Sequence, residues 1–308
     1  MTTRVRVIYN PAARGAPSLA DVREALAGVA SEGWEGDVVA TDAPLHAVEL
    51  AREAAAAGID VVVACGGDGT VNEVINGLVG AETTLAVVPA GTANVWAKEA
   101  RIPRNLRRAF RELARGERRR IDLGRATLAG GTPRYFILVA GVGFDGTVVD
   151  HVSPLWKARL GAASYVLHGA WDALSLRAQP ARVRVDGEAL ATGLFWATVS
   201  NTRSYGGAVT LSPAARVDDG ALDLTLMTRG GPVSVASYLA RAFLGTLDRS
   251  PTAVVRQVRS FEVETAGFAV QVDGEYLGET PALVDVVPGA IETVVPRGGL
   301  DAAVWSHR

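Results

Sequence analysis

The chain has 308 residues, enough for two domains with separate cores. Hydrophobic residues make up 48% and charged residues 21%, with a formal net charge of −2, which excludes a disordered chain and a nucleic-acid-binding polycation. Cys65 is the only cysteine, so an internal disulfide is excluded as well. The first ten residues carry no apolar leader, and no apolar run approaches the length of a membrane span. The expectation is a cytoplasmic protein that meets any membrane from outside.

The first part alternates strands and helices. Val5–Tyr9 reads as a strand, Leu19–Val29 as a helix, Asp37–Ala40 as a strand and Ala47–Ala57 as an alanine-rich helix. Asp60–Ala64 is apolar throughout, as a parallel strand buried on both faces should be, and Leu85–Val88 repeats it. This alternation predicts a doubly wound, mostly parallel sheet in an α/β domain. Ligands of such sheets bind at the carboxyl ends of the strands. Asn10, Thr41, Gly66–Thr70 and Gly91–Asn94 all stand at such ends.

From Arg101 to Arg120 the chain holds nine arginines against Glu112 and Glu117. Leu106, Ala109, Phe110, Leu113 and Ala114 form one helical face there. A basic amphipathic helix can lie on an anionic membrane, and an ordinary surface helix has the same pattern. Beyond Arg120, short strands punctuated by glycine, proline and aspartate predict a mostly antiparallel β-sandwich. They are Ile121–Leu128, Tyr135–Ala140, Ala181–Val185, Leu194–Ser200, Leu222–Met227, Val254–Val263, Ala269–Val272 and Leu283–Val287. Leu155–Leu176 and Val233–Leu247 interrupt them as helices. The expected domains are 1–120, completed by a terminal segment of about 293–308, and 121–292. Thr293–Val295 and Ala302–Trp305 are the candidates for a last strand in the first domain.

The segment Cys65-Gly66-Gly67-Asp68-Gly69-Thr70-Val71-Asn72-Glu73 joins a strand to a helix through a glycine turn. Glycines let backbone approach a ligand, and amides at a helix N-terminus point at anions. The Asp68 carboxylate would repel a bare phosphate, so a divalent cation or a positioned hydroxyl is expected there too. A nucleotide phosphate with magnesium, and hence phosphoryl transfer, follows. Cys65 beside the loop lacks an adjacent histidine and reads as a small residue closing a buried strand. Pro89-Ala90-Gly91-Thr92-Ala93-Asn94 offers a glycine, a hydroxyl and an amide side chain. Asp273 and Glu275 flank a turn glycine, where they could accept a proton or stand as solvated turn acids.

Taken together these motifs resemble the diacylglycerol kinase catalytic-domain family of lipid kinases, which includes sphingosine and ceramide kinases. The resemblance rests on Asn10-Pro11, Gly66–Thr70 with Asn72-Glu73, Gly91–Asn94, Gly141–Asp145, Asp218–Gly220 and Asp273–Glu275, in family order. It implies an ATP-dependent kinase acting on a hydroxyl of diacylglycerol or a related lipid. It places ATP against Asn10, Pro11, Ala12, Ala13, Arg14, Thr41, Gly66, Gly67, Asp68, Gly69, Thr70, Val71, Asn72 and Thr92. It implies magnesium held by Asp219, with carbonyls near Arg216 and Ala221, Asp218 beside it, and Asp68 in the network at the phosphates. Glu275 would take the lipid hydroxyl proton, with Asp273 supporting it or sharing the duty. The acceptor hydroxyl is then expected to enter between the two domains. The implied partners are a lipid at a membrane surface and no nucleic acid, and a homodimer would be unsurprising. One departure is Val95, where many members carry aspartate. A soluble-substrate kinase such as an NAD kinase, which shares the Gly-Gly-Asp-Gly-Thr loop, and a non-catalytic nucleotide or lipid binder are the alternatives. A dehydrogenase is the weakest, because no strand is followed by Gly-x-Gly-x-x-Gly.

Overall fold

The computed structural model describes residues 2–144, 146–147, 177–207 and 209–298. The expected helix Leu155–Leu176, the motif residue Asp145 and the candidate strand Ala302–Trp305 lie outside the described residues. The chain divides into two compact units, one through Asp122 and again from Pro288, the other Leu123–Val287.

Unit 1 carries β1 (Thr3–Tyr9), α1 (Leu19–Ala27), β2 (Trp34–Ala40), α2 (His46–Ala56), β3 (Val61–Gly66), α3 (Asp68–Leu78), β4 (Thr84–Pro89), α4 (Val95–Glu99) and α5 (Leu106–Ala114). The strands pair in the order β2-β1-β3-β4, all parallel. Each step is the right-handed crossover that helices between parallel strands require. β3 is buried at every residue, the reason its sequence shows no alternation. Cys65 sits at its end with no exposed surface, and burial pushes its thiol up to about 12, so it stays protonated and inert. The last strand among the described residues, β18 (Ala282–Val295), ends beside β4, with Thr293 opposite Leu85 in parallel register. α5 buries Ala109, Phe110 and Leu113 against β4 and α1. Its apolar stripe is therefore core, and the arginine helix has no apolar face left to offer a membrane.

Unit 2 is a β-sandwich. β7 (Val139–Gly143), β10 (Trp196–Ser200), β13 (Leu222–Met227), β14 (Ala253–Val258), β16 (Ala269–Val272) and β17 (Glu275–Glu279) form a sheet in the order β14-β13-β10-β7-β16-β17. β8 (Gln179–Val185), β9 (Glu188–Leu194) and β15 (Ser260–Val263) pair with the start of β18 in the order β18-β15-β8-β9. All these pairings are antiparallel. Ala140, Val142, Val199 and Leu224 from the first group meet Val183, Val185, Phe261 and Val284 from the second in one buried core. β5 (Glu117–Leu128) continues into unit 2 and pairs with β6 (Arg134–Phe136). Helix α6 (Pro232–Phe243) packs beside β12 (Val209–Thr210), which pairs with β11 (Ser204–Tyr205).

Two strands expected as single pieces are each broken. Val254–Val263 divides into β14 and β15, which pair with different strands. The break falls at Arg259, whose N–H donates to Asp186 Oδ1 at 2.7 Å and whose carbonyl accepts from Val286. Tyr135–Ala140 divides into β6 and β7, because the amides of Ile137 and Leu138 turn to a carboxylate and leave the ladder. β9 and β17 were not expected, since neither has a clean apolar alternation: β9 is mostly exposed and β17 contains Gly278.

Candidate active site

In unit 1 the carboxyl ends of β1, β3 and β4 bring three loops together. Asn10 follows β1, and its Oδ1 accepts the Ala12 N–H at 2.9 Å, an Asx turn that shapes the segment Pro11, Ala12, Ala13 and Arg14. Its Nδ2 donates to Thr70 Oγ1 at 2.9 Å, so the first loop is tied to α3. Thr41 follows β2 and its N–H donates to Tyr9 O at 2.9 Å.

The two glycine loops interlock. A Cβ on Gly91 would come within 2.5 Å of Gly67 Cα, and a Cβ on Gly66 within 2.4 Å of Thr70 Oγ1. Glycine is thus demanded by loop-on-loop packing before any ligand is considered. Gly67 is the N-cap of α3 and no side chain caps this helix. The first amides of α3, from Asp68, Gly69 and Thr70, lack intrahelical partners, and the helix dipole adds a partial positive charge at the same place. Thr92 is exposed on the facing loop, whereas Val71 and Asn72 are 2% and 1% exposed. Val71 therefore belongs to the core, and Asn72 is bonded to Asn76 Nδ2 through its carbonyl at 2.9 Å. Both support the loop from beneath.

Asp68 faces away from the α3 amides. Its Oδ1 accepts the Val95 N–H at 2.7 Å, which caps α4. Burial raises its carboxyl above the usual range, and the amides of Val95, Trp96 and Asn94 together with Lys98 oppose that rise. Asn94 takes the left-handed conformation (φ 47°) and clasps Gly91, accepting its N–H at 2.8 Å and donating to its carbonyl at 2.7 Å. Glu73, a few residues on, accepts the Ala47 N–H at 3.2 Å at the start of α2. The acids of the glycine motif thus fasten neighbouring helices to the loop.

In unit 2, Asp273 and Gly274 form the two-residue turn between β16 and β17, with φ of 48° and 84°. Asp273 Oδ2 accepts from Ile137 at 3.1 Å, and Oδ1 accepts from Leu138 and Val139 at 3.0 Å each. A carboxylate holding three amides is committed to the backbone and fixes the turn that Glu275 follows. Glu275 pairs with Arg134 at 3.1 Å and keeps 38% of its side chain exposed.

Asp218, Asp219, Arg216 and Ala221 lie on the loop entering β13. Asp219 Oδ1 accepts from Ala221 N at 3.1 Å and Oδ2 from Gln257 Nε2 at 2.8 Å. Asp223, on β13 opposite Gln257, is 4% exposed. Burial, with Asp219 adding like charge, pushes its carboxyl up to about 6. Sequence reasoning passed over Asp223 and Gln257. The available signal was an acid inside the apolar run Leu222–Met227. Two crowded carboxylates suit a divalent cation, which would relieve their repulsion. Among the described residues no three acidic, histidine or cysteine side chains converge, so carbonyls and water must complete any such shell.

A parallel α/β unit with an uncapped glycine-loop helix, carried with an antiparallel sandwich bearing a paired glutamate, defines a class of kinase-type phosphotransferases. Residues 4–126 match the family "Diacylglycerol kinase catalytic domain", and residues 138–295 match the "YegS C-terminal NAD kinase beta sandwich-like domain". A diacylglycerol kinase of Mycobacterium tuberculosis is 30% identical over 300 residues, 96% of each chain. One of Bacillus subtilis is 29% identical over 298 residues, 96% of this chain and 97% of its own. Two crystal structures from Bacillus anthracis share the fold. One, of a diacylglycerol kinase, has a TM-score of 0.73 at 19% identity, covering 97% of this chain and 98% of its own. The other has a TM-score of 0.79 at 22% identity, covering 96% of each. The chain belongs to the diacylglycerol kinase family, and it is a phosphotransferase acting on an alcohol group.

Proposed function

We propose that this enzyme is an ATP-dependent lipid kinase that moves the γ-phosphate of ATP to a hydroxyl of diacylglycerol or a related lipid. The observation that carries the reading is the uncapped N-terminus of α3 behind the interlocked Gly67 and Gly91 loops, a surface of unpartnered amides suited to phosphate oxygens. The printed names of its relatives support the acceptor class.

In this reading the amides of Asp68, Gly69 and Thr70 orient the phosphates, and Thr92 offers a hydroxyl from the facing loop. Asn10 holds Thr70 and Arg14 adds a cation near the same strand end. Asp68 and Asn94 keep the second glycine loop seated on the first. Asp219, with Asp218, Asp223 and the carbonyls of Arg216 and Ala221, would hold magnesium. Bound magnesium neutralises charge on the phosphate-bearing assembly. Glu275 accepts the proton of the acceptor hydroxyl, and Arg134, paired with it at 3.1 Å, holds its carboxylate in place. Asp273 anchors the turn from which Glu275 projects. Membrane-facing acceptors require only transient contact with a bilayer, and no helix among the described residues is long and apolar enough to cross one.

The test is transfer of labelled γ-phosphate from ATP, with magnesium, to diacylglycerol, sphingosine and ceramide in mixed micelles, with NAD as the soluble control. Label in a lipid product supports the reading. Label in NAD and in no lipid overturns it.

A further inference from the structure

α6 turns its apolar side chains outward. On its inner side Tyr238 and Ala242 are buried, and Tyr238 Oη bonds Thr252 O and Oγ1 at 3.1 and 3.0 Å. On its outer side Val233 and Phe243 are each 85% exposed, Leu244 73% and Leu239 47%. Leu239 and Phe243 stand one turn apart, and Leu244 follows directly at the helix end, so three large apolar side chains are exposed there. A soluble protein rarely leaves a leucine–phenylalanine patch in water, and such a patch marks an interaction surface.

The charges of this segment say what covers the patch. α6 contains no acidic residue and carries Arg241; Arg229 and Arg249 stand before and after it in the chain, and Asp248 is the sole acid between 229 and 250. An apolar patch in a basic segment matches an anionic bilayer, the side chains entering the acyl boundary and the guanidinium groups staying with the headgroups. A second copy of the chain fits less well. A two-fold contact through this helix would set the arginines of one copy against those of the other.

We propose that the outer face of α6 is the surface by which the enzyme seats on an anionic lipid bilayer, with Leu239, Phe243 and Leu244 as the inserted residues. The proposal rests on the lipid-kinase reading for its purpose, since an insoluble acceptor has to be met at a membrane. α6 packs beside β12 and its Tyr238 bonds Thr252, just ahead of β14, while Glu275 starts β17 at the opposite edge of that sheet. Val233, Phe243 and Leu244 are exposed side chains and none of them belongs to the candidate site.

The experiment uses the full chain and vesicles of phosphatidylglycerol with phosphatidylcholine, pelleted at low and high salt. Phe243→Ser with Leu244→Ser is expected to lower partitioning at least tenfold, and Val233→Ser, at the helix start, by less. Wild-type partitioning is expected to weaken with added salt and on vesicles of phosphatidylcholine alone. Phosphoryl transfer to a short-chain diacylglycerol below its micellar concentration is expected to change less than twofold. Wild-type protein that does not pellet, or a double variant that pellets equally, overturns the proposal. So does a lipid-free dimer, seen by light scattering, that the double variant breaks, because the face would then serve a second copy. If the wild type pellets, the variant does not and no lipid is phosphorylated, the docking face stands and the kinase reading falls.

Discussion

The tetrapeptide Val-Asp-Gly-Glu occurs twice, at Val185–Glu188 and at Val272–Glu275. Both copies make the same object. Asp186 and Gly187 turn β8 into β9 with φ of 52° and 83°, and Asp273 and Gly274 turn β16 into β17 with 48° and 84°. In each the aspartate grips backbone amides of a neighbouring segment: Arg259 and Ser260 for Asp186, Ile137 to Val139 for Asp273. They part company at the glutamate. Glu188 is exposed on a strand that is mostly exposed, whereas Glu275 is half-buried against Arg134. The four residues encode a hairpin, and what the hairpin is set against gives each glutamate its surroundings.

Aspartate replacements separate the two copies most strongly. Asp273→Ala strips a charged acceptor from three amides and is expected to destabilise unit 2 by about 3 kcal/mol, Asp186→Ala by about 1 kcal/mol. In thermal unfolding these correspond to roughly 6–12 °C and 2–4 °C. Equal shifts would mean the two clamps are equivalent.

A third aspartate sharpens the contrast, because Asp223 is buried without such a set of amides. Its folded pKa, about 6, lies above its ordinary value, so the folded state binds the extra proton. Its contribution to stability is then largest below about pH 4 and is lost as pH rises through about 6, by about 2–3 kcal/mol. In EDTA, Asp223→Asn is expected to remove that fall and to melt higher than wild type above pH 6. Parallel melting curves from pH 4 to 7 would contradict the assignment.

Removing the neighbour that distinguishes Glu275 comes next. Arg134→Ala is expected to lower kcat/KM about tenfold, or about 1.4 kcal/mol, with part of the loss recovered in Arg134→Lys. Gly187→Ala and Gly274→Ala close the series. A Cβ at either position meets nothing within 4 Å, so only the left-handed backbone resists, at about 1 kcal/mol in both. Denaturant midpoints that differ by much more would show strain that one turn has and the other lacks.

Much of unit 1 was legible because its signals are local. Buried parallel strands read as apolar runs, and a strand, a glycine turn and a helix start are contiguous at Cys65–Asn72. Long-range capture was not legible. The breaks at Ile137 and Arg259 are made by carboxylates 136 and 73 residues distant in the chain. The amphipathic pattern of α5 was visible, but only packing on β4 and α1 shows that its stripe is core. In α6 the periodicity marks a helix, and only the fold shows which side is left in water. At Asp68 the acid was visible in the sequence, yet its bond to Val95 depends on a loop from the next strand. Asp223 and Gln257 face each other across strands separated by α6, so neither predicts the other from sequence.

We propose that Glu275, and not its twin Glu188, does the proton chemistry. The most direct measurement is phosphoryl transfer from ATP to the preferred lipid by Glu275→Gln and Glu188→Gln, with ATP affinity measured alongside. Glu275→Gln should bind ATP as wild type does and lose at least about 100-fold in kcat, while Glu188→Gln keeps the wild-type rate. Wild-type turnover in Glu275→Gln, or an equal loss in both variants, would contradict the account.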